Sequence, residues 1–501
     1  MKSNIIKIIG TAIAVLISIF FILAIPEPTP EIPATEPTST VKPFMWNQDV
    51  FWDSLESQFI AAKNSGCAAV LSETESDLLL LEKLIAQIET KPISPDATEL
   101  QQIEKQIFLL GPPVGTCPDK VQHYLQLISK MRTVLKRHSE KWDMNNRSTR
   151  ETLYRLLYGG RGAAEEVILQ IPVNRQPPAL QLETDEPSAT PASNFLGVNI
   201  HSGDIFVSRG GAPTSALIAR GNDFPGNFSH IALAFVDSSS KTLKIIESHI
   251  ERGVVISTPE EYFRDKKLRV MILRLRSNLP PLLNDPLLPH RAAAAMLECV
   301  GSEHIPYDFS MNYNDTTKIF CSEVASAAYK KFSINLWLGL SHISSPGLRR
   351  WLADFGVRHF ETQEPSDLEY DPQLRVVAEW RDPETLFKDH IDNAATEAML
   401  EMAEKGFVLS YKWYMLPVVR IIKAYCWMLN LFHKEGPIPE GMSAASALKH
   451  EFYVSIHTKV VEDVQRQVSI YRRYRHINPP FWELLRMVRA SLKTQNPNHE
   501  N

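Results

Sequence analysis

The chain has 501 residues, of which 44% are hydrophobic, 22% charged and 9% aromatic. This ordinary globular usage excludes wholesale disorder and a polytopic membrane protein, and the length allows about three domains. The charge balance of 53 Lys and Arg against 58 Asp and Glu gives −5, and the one notable basic cluster is at 472–475, so nucleic acid is not expected as a partner. Five cysteines without a C-x-x-C pair exclude a disulfide scaffold and a structural zinc site.

The N-terminus carries a long apolar segment. After Lys2 and Lys7, residues 8–25 contain no charged side chain, and at ~1.5 Å per residue these 18 residues cover about 27 Å as a helix, enough for a thin hydrocarbon core. A cleaved secretory signal is the alternative, although residues 24–26 supply its small-residue cleavage site poorly. Lysines before the segment and glutamates after it predict a cytoplasmic tip at 1–7, a transmembrane anchor at 8–25 and an exported body.

A proline-rich spacer and a helical region come next. Residues 26–43 contain six prolines mixed with Thr, Ser and Glu, a composition typical of an extended linker. Over residues 44–170, apolar residues recur with a helical period in runs that prolines interrupt, which predicts a helical domain. Cys67 and Cys117 lie in this domain. They are interpreted either as a disulfide, in an oxidising compartment, or as two separately buried thiols.

The pattern changes after a second proline-rich segment, residues 171–195, which we predict to be another linker. Short β-branched or alternating runs then predict strands at 205–207, 231–236, 243–250, 254–257 and 268–275. Helical patterns resume at 291–300 and 321–332. Strands grouped together and flanked by helices are typical of an α+β domain rather than a doubly wound one, and we place this domain at 196–382.

The last region, residues 383–501, is again strongly helical. Its segment 407–432 is rich in Trp, Tyr, Met and Leu, yet it carries Lys412, Arg420 and Lys423. At ~100° per residue these cations fall inside an arc of roughly 80°, so the segment is amphipathic. We interpret it as a core helix of a C-terminal bundle with one solvated face, partly because Pro417 interrupts it; a helix lying on anionic lipid is the alternative.

Nucleophilic chemistry is expected first at Cys321. This residue begins an apolar-periodic helix after a polar stretch at 312–318. A thiol at a helix N-terminus lies at the positive end of the helix dipole, which favours the nucleophilic thiolate. Position alone is weak evidence, because free cysteines are more often small buried side chains. Cys299 and Cys426 lie within apolar helical runs and are interpreted as structural.

A thiol nucleophile needs a base, and the base needs an orienting group. His230 begins the strand at 231–236, directly after a Gly- and Asn-rich loop. Glu247 lies in the next strand beside isoleucines, where an unpaired carboxylate is costly. Adjacent antiparallel strands would bring the two side chains together. His249 and Glu251, two and four residues further on, compete with Glu247 on the same strand face.

Five short motifs, in this order, resemble the YiiX-like hydrolases, a circularly permuted papain-fold group related to NlpC-type cell-wall peptidases and to lecithin retinol acyltransferase. They are Ser202-Gly203-Asp204-Ile205, Ser229-His230-Ile231-Ala232, Ile246-Glu247-Ser248, Pro306-Tyr307-Asp308-Phe309 and Phe320-Cys321-Ser322-Glu323. The resemblance covers residues 199–332, about a quarter of the chain. It implies a permuted papain-like antiparallel sheet with histidine first, a polar residue on the next strand and cysteine last.

The resemblance also implies roles for individual residues. Cys321 would be the nucleophile, His230 the general base and Glu247 the group that orients and charges the imidazole, where relatives carry His, Asn or Gln. Tyr307 resembles the tyrosine that stabilises the oxyanion together with the backbone N–H of the cysteine. Asp204 is interpreted as structural. A thiol mechanism requires no metal, and no cofactor is expected.

The function expected from these features is a cysteine hydrolase with a Cys-His-Glu triad and a thioester acyl-enzyme, acting on amide or acyl bonds of cell-wall peptides or of lipids. Its catalytic domain is expected on the periplasmic side of the inner membrane, held there by the single N-terminal helix. An acyltransferase would use the same residues with an acceptor other than water. A non-catalytic envelope scaffold, with helical regions that bind envelope proteins, is the third hypothesis, since about three quarters of the chain lies outside the resemblance.

Overall fold

The computed structural model describes residues 2–28, 32, 50–183, 186–264, 266–337, 340–432, 434 and 436–495. Most of the predicted linker at 26–43 lies outside these residues. The apolar N-terminal segment forms helix α1 (Lys2–Leu23), whose apolar side chains from Ile8 onward are largely exposed. Among the described residues, no helix combines the length and the apolar character needed to cross a membrane, so the predicted transmembrane anchor at 8–25 is not supported.

The predicted helical domain contains five α-helices. They are α2 (Val50–Ser65), α3 (Cys67–Glu89), α4 (Thr98–Val114), α5 (Val121–Ser139) and α6 (Arg147–Gln170). Helix α6 begins at a side-chain cap, because the side-chain oxygen of Asn146 accepts hydrogen bonds from the backbone N–H groups of Ser148 and Thr149. Cys67 and Cys117 form a disulfide with their Cα atoms 4.9 Å apart, which ties the start of α3 to the segment after α4.

An antiparallel sheet occupies the centre of the molecule. The strands of the described chain are β1 (Leu180–Leu182), β2 (Ala192–Phe195), β3 (Val198–His201), β4 (Ile205–Gly210), β5 (His230–Val236), β6 (Leu243–His249), β7 (Gly253–Ser257), β8 (Lys267–Leu275), β9 (Ser341–His342), β10 (Glu361–Thr362) and β11 (Leu374–Trp380). Seven of them form one sheet in the order β1-β11-β8-β4-β5-β6-β7. Strand β4 is buried on both faces, since Ile205 and Val207 enter one apolar core and Phe206 enters another.

The second predicted linker, residues 171–195, contains two strands. Leu180 pairs with Trp380, so β1 forms the edge of the main sheet, and β2 forms a hairpin with β3. The prolines of this segment are compatible with an edge strand, where one row of backbone N–H groups has no neighbour in the sheet. The structure therefore differs from the interpretation of this segment as a spacer.

Helices surround the sheet. Those between its strands are α7 (Pro213–Arg220), α8 (Pro259–Arg264), α9 (Pro280–Asn284), α10 (Leu288–Ser302), α11 (Glu323–Lys330), α12 (Pro346–Phe355) and α13 (Asp367–Tyr370). The C-terminal region adds α14 (Pro383–Glu404), α15 (Leu416–Asn430), α16 (Ala444–Arg475) and α17 (Phe481–Gln495). The molecule is thus a mixed helix and sheet structure, which confirms the predicted α+β class.

Buried ion pairs join the helical domain to the sheet. Arg161 of α6 contacts both Glu369 and Glu379, and all three side chains are nearly inaccessible to water. Arg269 of β8 contacts Glu165 of α6 and Asp389 of α14. These pairs connect residues more than 100 positions apart in the chain. The three regions are therefore packed as one body around the sheet.

Replacing Arg161 with leucine should lower the free energy of unfolding by about 3–5 kcal/mol, because the change leaves buried carboxylates without their guanidinium partner. Urea unfolding followed by circular dichroism measures this loss. Arg155 on the same helix provides the matched control, since its pair with Glu104 is partly exposed and Arg155→Leu should change stability by about 1 kcal/mol or less. Equal losses in the two variants would contradict the importance of the buried network.

Candidate active site

His230 and Glu247 meet across two neighbouring strands. Ala232 of β5 pairs with Glu247 of β6, and His230 points to the same side of the sheet because it lies two residues before Ala232. The His230 Nε2 atom lies 2.8 Å from Glu247 Oε2. The Glu247 side chain is buried and that of His230 is partly exposed. The structure therefore brings together the predicted base and its predicted orienting group.

Cys321 lies in a turn two residues before α11, whereas the sequence predicts that it begins this helix. Its thiol contacts the backbone carbonyl oxygen of Ser229 at 3.6 Å, which places the sulfur beside the residue that precedes His230. The carboxylate of Glu323 accepts a hydrogen bond from the backbone N–H of Phe320 at 3.1 Å, which fixes the turn that carries Cys321. Because α11 packs against β5, the cysteine is held at the histidine end of that strand.

Backbone hydrogen bonds place Tyr307 next to the cysteine. The Ser248 hydroxyl, adjacent to Glu247 in β6, donates to the carbonyl oxygen of Ile319 at 2.7 Å, and the Ile319 N–H donates to the carbonyl oxygen of Pro306 at 3.0 Å. The segments before Cys321 and around Tyr307 are thereby joined. The Tyr307 hydroxyl interacts with the Cys321 thiol, which raises the pKa of Tyr307 and opposes the rise in the pKa of Cys321. The predicted position of Tyr307 at the nucleophile is thus observed.

A glycine allows the start of β7 to lie close to the segment that precedes Tyr307. Gly253 has a φ of +71°, and a Cβ atom at this position would collide with the carbonyl oxygen of Ile305. That oxygen accepts a hydrogen bond of 2.9 Å from the N–H of Val254. Only a residue without a side chain permits both the positive φ and the contact. Gly253 therefore positions the segment that leads to Tyr307.

Comparison with protein families agrees with this geometry. Residues 199–378 match the model of the permuted papain-like amidase family, YaeF/YiiX, C92. The predicted resemblance to YiiX-like hydrolases is confirmed for this amidase segment, which extends beyond the predicted motifs to include most of β11. Searches of curated proteins and of solved structures found no match. This match supports a papain-like fold and a hydrolase that acts on amides.

Burial favours the neutral forms of both Cys321 and His230 by shifting the pKa of each. Burial raises the pKa of the Cys321 thiol to about 11, with the nearby Glu364 carboxylate adding to the effect and hydrogen bonds from Ser322 and Tyr307 opposing it. Burial also lowers the pKa of His230, against the opposing effect of the hydrogen bond that His230 donates to Glu247. These directions do not favour the thiolate–imidazolium pair that a negatively charged partner and a helix N-terminus led us to expect.

Glu247 has more partners than the sequence predicts. His249 Nε2 lies 3.1 Å from its Oε1 atom, and the Ser257 hydroxyl donates to the same oxygen at 2.7 Å. Burial alone would raise the pKa of Glu247, but the hydrogen bond from His230 and the nearby His249 ring outweigh it and hold that pKa well below its ordinary range. His249 is therefore a second partner of Glu247 rather than its competitor. Glu251 lies in the turn after β6 and is exposed.

Three residues near the site were not predicted. In the sequence Ser257 looks like any other strand residue. Only the pairing of β7 with β6, which places Ser257 opposite Ile245, indicates that it lies near Glu247. The Tyr262 ring stacks on His230 with centroids 6.3 Å apart. Glu364, whose pKa burial raises well above its ordinary value, acts on both Cys321 and Tyr307 from a distant part of the sequence. No local pattern indicates the last two.

Asp204 has the structural role predicted for it. Its carboxylate accepts two hydrogen bonds of 2.8 Å from the guanidinium of Arg274 and one of 2.8 Å from the backbone N–H of His201. These contacts fix the turn between β3 and β4. In the part of the chain that the structure describes, no group of three or more His, Cys, Asp or Glu side chains is arranged to hold a metal ion.

Proposed function

We propose that this protein is a cysteine amidase in which Cys321, His230 and Glu247 form the catalytic triad. The observation that carries the proposal is the 2.8 Å contact between His230 and Glu247, with the Cys321 thiol held at the residue before His230. A carboxylate only accepts hydrogen bonds, so neutral His230 carries its proton on Nε2. The lone pair on Nδ1 is then available as the base.

The proposed reaction has two halves. The Cys321 sulfur attacks the carbonyl carbon of an amide while its proton passes to Nδ1 of His230, and the oxyanion accepts hydrogen bonds from the Cys321 N–H and the Tyr307 hydroxyl. Collapse breaks the C–N bond, Nδ1 returns the proton to the leaving amine, and a thioester remains. Water, deprotonated by His230, then attacks the thioester; the C–S bond breaks, the acid leaves, and His230 returns the proton to the Cys321 sulfur. Glu247 stabilises the imidazolium that forms in both halves.

The neutral resting pair fits a base-catalysed attack, in which proton transfer accompanies bond formation. It also gives a specific reason to keep the binding scaffold as the second candidate. A thiol whose pKa burial raises to about 11 is a poor nucleophile until substrate binding changes its surroundings. If no amide acylates Cys321, the second candidate function is that the site around Cys321 binds peptide or lipid without a reaction.

We also propose that the body is exported and attached to a membrane through α1. The uncharged stretch at 8–25 and the exposure of its apolar side chains support attachment. The disulfide between Cys67 and Cys117 supports an oxidising compartment such as the periplasm. The substrates that fit this location are cell-wall peptides and lipids with amide or other acyl bonds.

Covalent trapping tests the catalytic proposal. The full chain is incubated with peptidyl and fatty-acyl amides of aminomethylcoumarin, and the expected result is a burst of free amine with an acyl group mapped to Cys321 by mass spectrometry. Adding a candidate acceptor alcohol or amine separates hydrolysis from acyl transfer by the product formed. Absence of a burst and of an adduct on every amide would favour the scaffold, and an adduct on Cys299 or Cys426 alone would contradict the assigned nucleophile.

A further inference from the structure

The C-terminal helix α15 presents an apolar stripe to the solvent. Val418, Ile421, Tyr425, Met428 and Phe432 follow each other at spacings of three and four residues, which is the spacing of a buried helix face. In the structure this stripe is exposed, with 62% of Ile421 and 72% of Phe432 accessible. The segment packs one face in a core cluster of the C-terminal region, in line with the interpretation of a bundle helix with one solvated face, but that solvated face is apolar.

Two of the three cations of this segment, Arg420 and Lys423, are partly buried and bonded to backbone carbonyl oxygens instead, whereas Lys412 is exposed. Arg420 donates to the carbonyl oxygen of Leu23 at 2.7 Å, and Lys423 donates to the carbonyl oxygens of Pro439 and Glu440 at 2.6 Å. Water would favour the reverse arrangement, with charges outside and apolar residues against the protein. An apolar medium outside the helix explains both orientations.

The stripe is continuous with α1. The Phe20 ring of α1 lies 6.2 Å from the Trp413 ring, just before α15, and Arg420 of α15 is bonded to the end of α1. The described apolar side chains of α1, among them Ile13, Leu16 and Phe21, are exposed on more than one side. A protein partner or a second copy of the chain would cover one side of such a helix, whereas lipid surrounds it.

From this geometry we infer that the outer face of α15 lies in the interface of a lipid bilayer beside α1. The occupant is an anionic phospholipid surface, because Lys412 is exposed and residues 406–432 contain no Asp or Glu. Trp413 and Trp427 are exposed near the two ends of the stripe, and tryptophan is enriched at the depth of lipid headgroups. The inference extends the proposed membrane attachment from α1 to a second, distant segment of the chain.

With α15 in the bilayer interface, the proposed amidase site would lie close to the bilayer. The buried side of α15 packs with Ile438 and Met442, and the Phe309 ring contacts the same cluster. The Phe309 ring lies 5.1 Å from that of Tyr307, which in turn contacts Cys321. Phe309 and Tyr307 therefore connect α15 to Cys321. A substrate carried on the membrane surface would reach the catalytic site without leaving the membrane.

Quenching by brominated lipid tests the inference. The full chain is bound to vesicles of phosphatidylcholine and phosphatidylglycerol whose acyl chains carry bromine near the headgroups. Because α1 contains no tryptophan, quenched emission reports other segments. The double variant Trp413→Phe/Trp427→Phe should lose roughly half or more of the quenched emission. The control Trp142→Phe, in the helical domain where its N–H bonds to Ile93, should leave the quenched emission unchanged.

Each other outcome is decisive as well. Vesicle binding with quenched emission that the double variant does not reduce would overturn the inference and leave attachment by α1 standing. If the full chain does not bind to vesicles, both the inference about α15 and the proposed attachment by α1 are overturned. A chain that sediments as a dimer, with Trp413 and Trp427 unquenched, would identify a second copy as the occupant. None of these results bears on acylation of Cys321, so the catalytic proposal is tested separately.

Discussion

Replacing Cys321 with alanine should reduce kcat/KM for an amide substrate by at least about 10⁴-fold, because no other group in the site can form the thioester. Cys321→Ser should be nearly as inactive, although its hydroxyl keeps the position next to the Ser229 carbonyl oxygen, since a serine hydroxyl is far less acidic than a thiol. Release of coumarin from the best amide of the trapping screen measures the effect. Both variants should unfold at nearly the wild-type urea concentration.

Controls separate loss of the nucleophile from loss of structure. Cys299→Ser changes a partly exposed thiol and should leave kcat/KM unchanged. His230→Ala should be as inactive as Cys321→Ala, and the double variant should be no worse than either single one, because residues that act in one step are strongly non-additive. A double variant that loses a further factor comparable with each single loss would show that the two residues act independently, contrary to the proposed triad.

The sequence predicts the site better than it predicts what surrounds it. His230 and Glu247 could be placed together because alternating runs identify β5 and β6 as consecutive strands, and consecutive strands usually pair. Cys321 could be added only through the resemblance, since the contact between its thiol and Ser229 joins residues 92 positions apart. Local pattern carries no information on that distance.

Other features depend on packing between regions. The edge strand β1 lies in a proline-rich segment whose composition is that of a linker, and it becomes a strand because the edge of β11 is available. The ion pairs of Arg161 join residues that are 208 and 218 positions apart, so no local pattern indicates them. The apolar character of the solvated face of α15 is not predicted, because periodicity identifies an apolar stripe but not the medium that it faces.

The second large effect is expected from Glu247→Gln, which should lower kcat by about 10³–10⁴-fold. Glutamine keeps the shape of the side chain but removes the negative charge that stabilises the His230 imidazolium, and its amide can hold the wrong tautomer. The control is His249→Gln, which removes the other histidine partner of Glu247 and should lower kcat by about tenfold or less.

The pH profile distinguishes a catalytic carboxylate from a structural one. Neutral His230 is the active form, and its pKa lies below the ordinary value, so kcat/KM should rise with pH through that pKa and then remain level until the thiol itself ionises near pH 11. Glu247 favours the protonated imidazole and thus raises the pKa of His230. Its replacement by glutamine should move the acid limb to lower pH even as the plateau falls. If Glu247→Gln lowers the plateau of kcat/KM without moving the acid limb, Glu247 only supports the strand. If kcat/KM falls again between about pH 8 and 9, the active form is the thiolate–imidazolium pair.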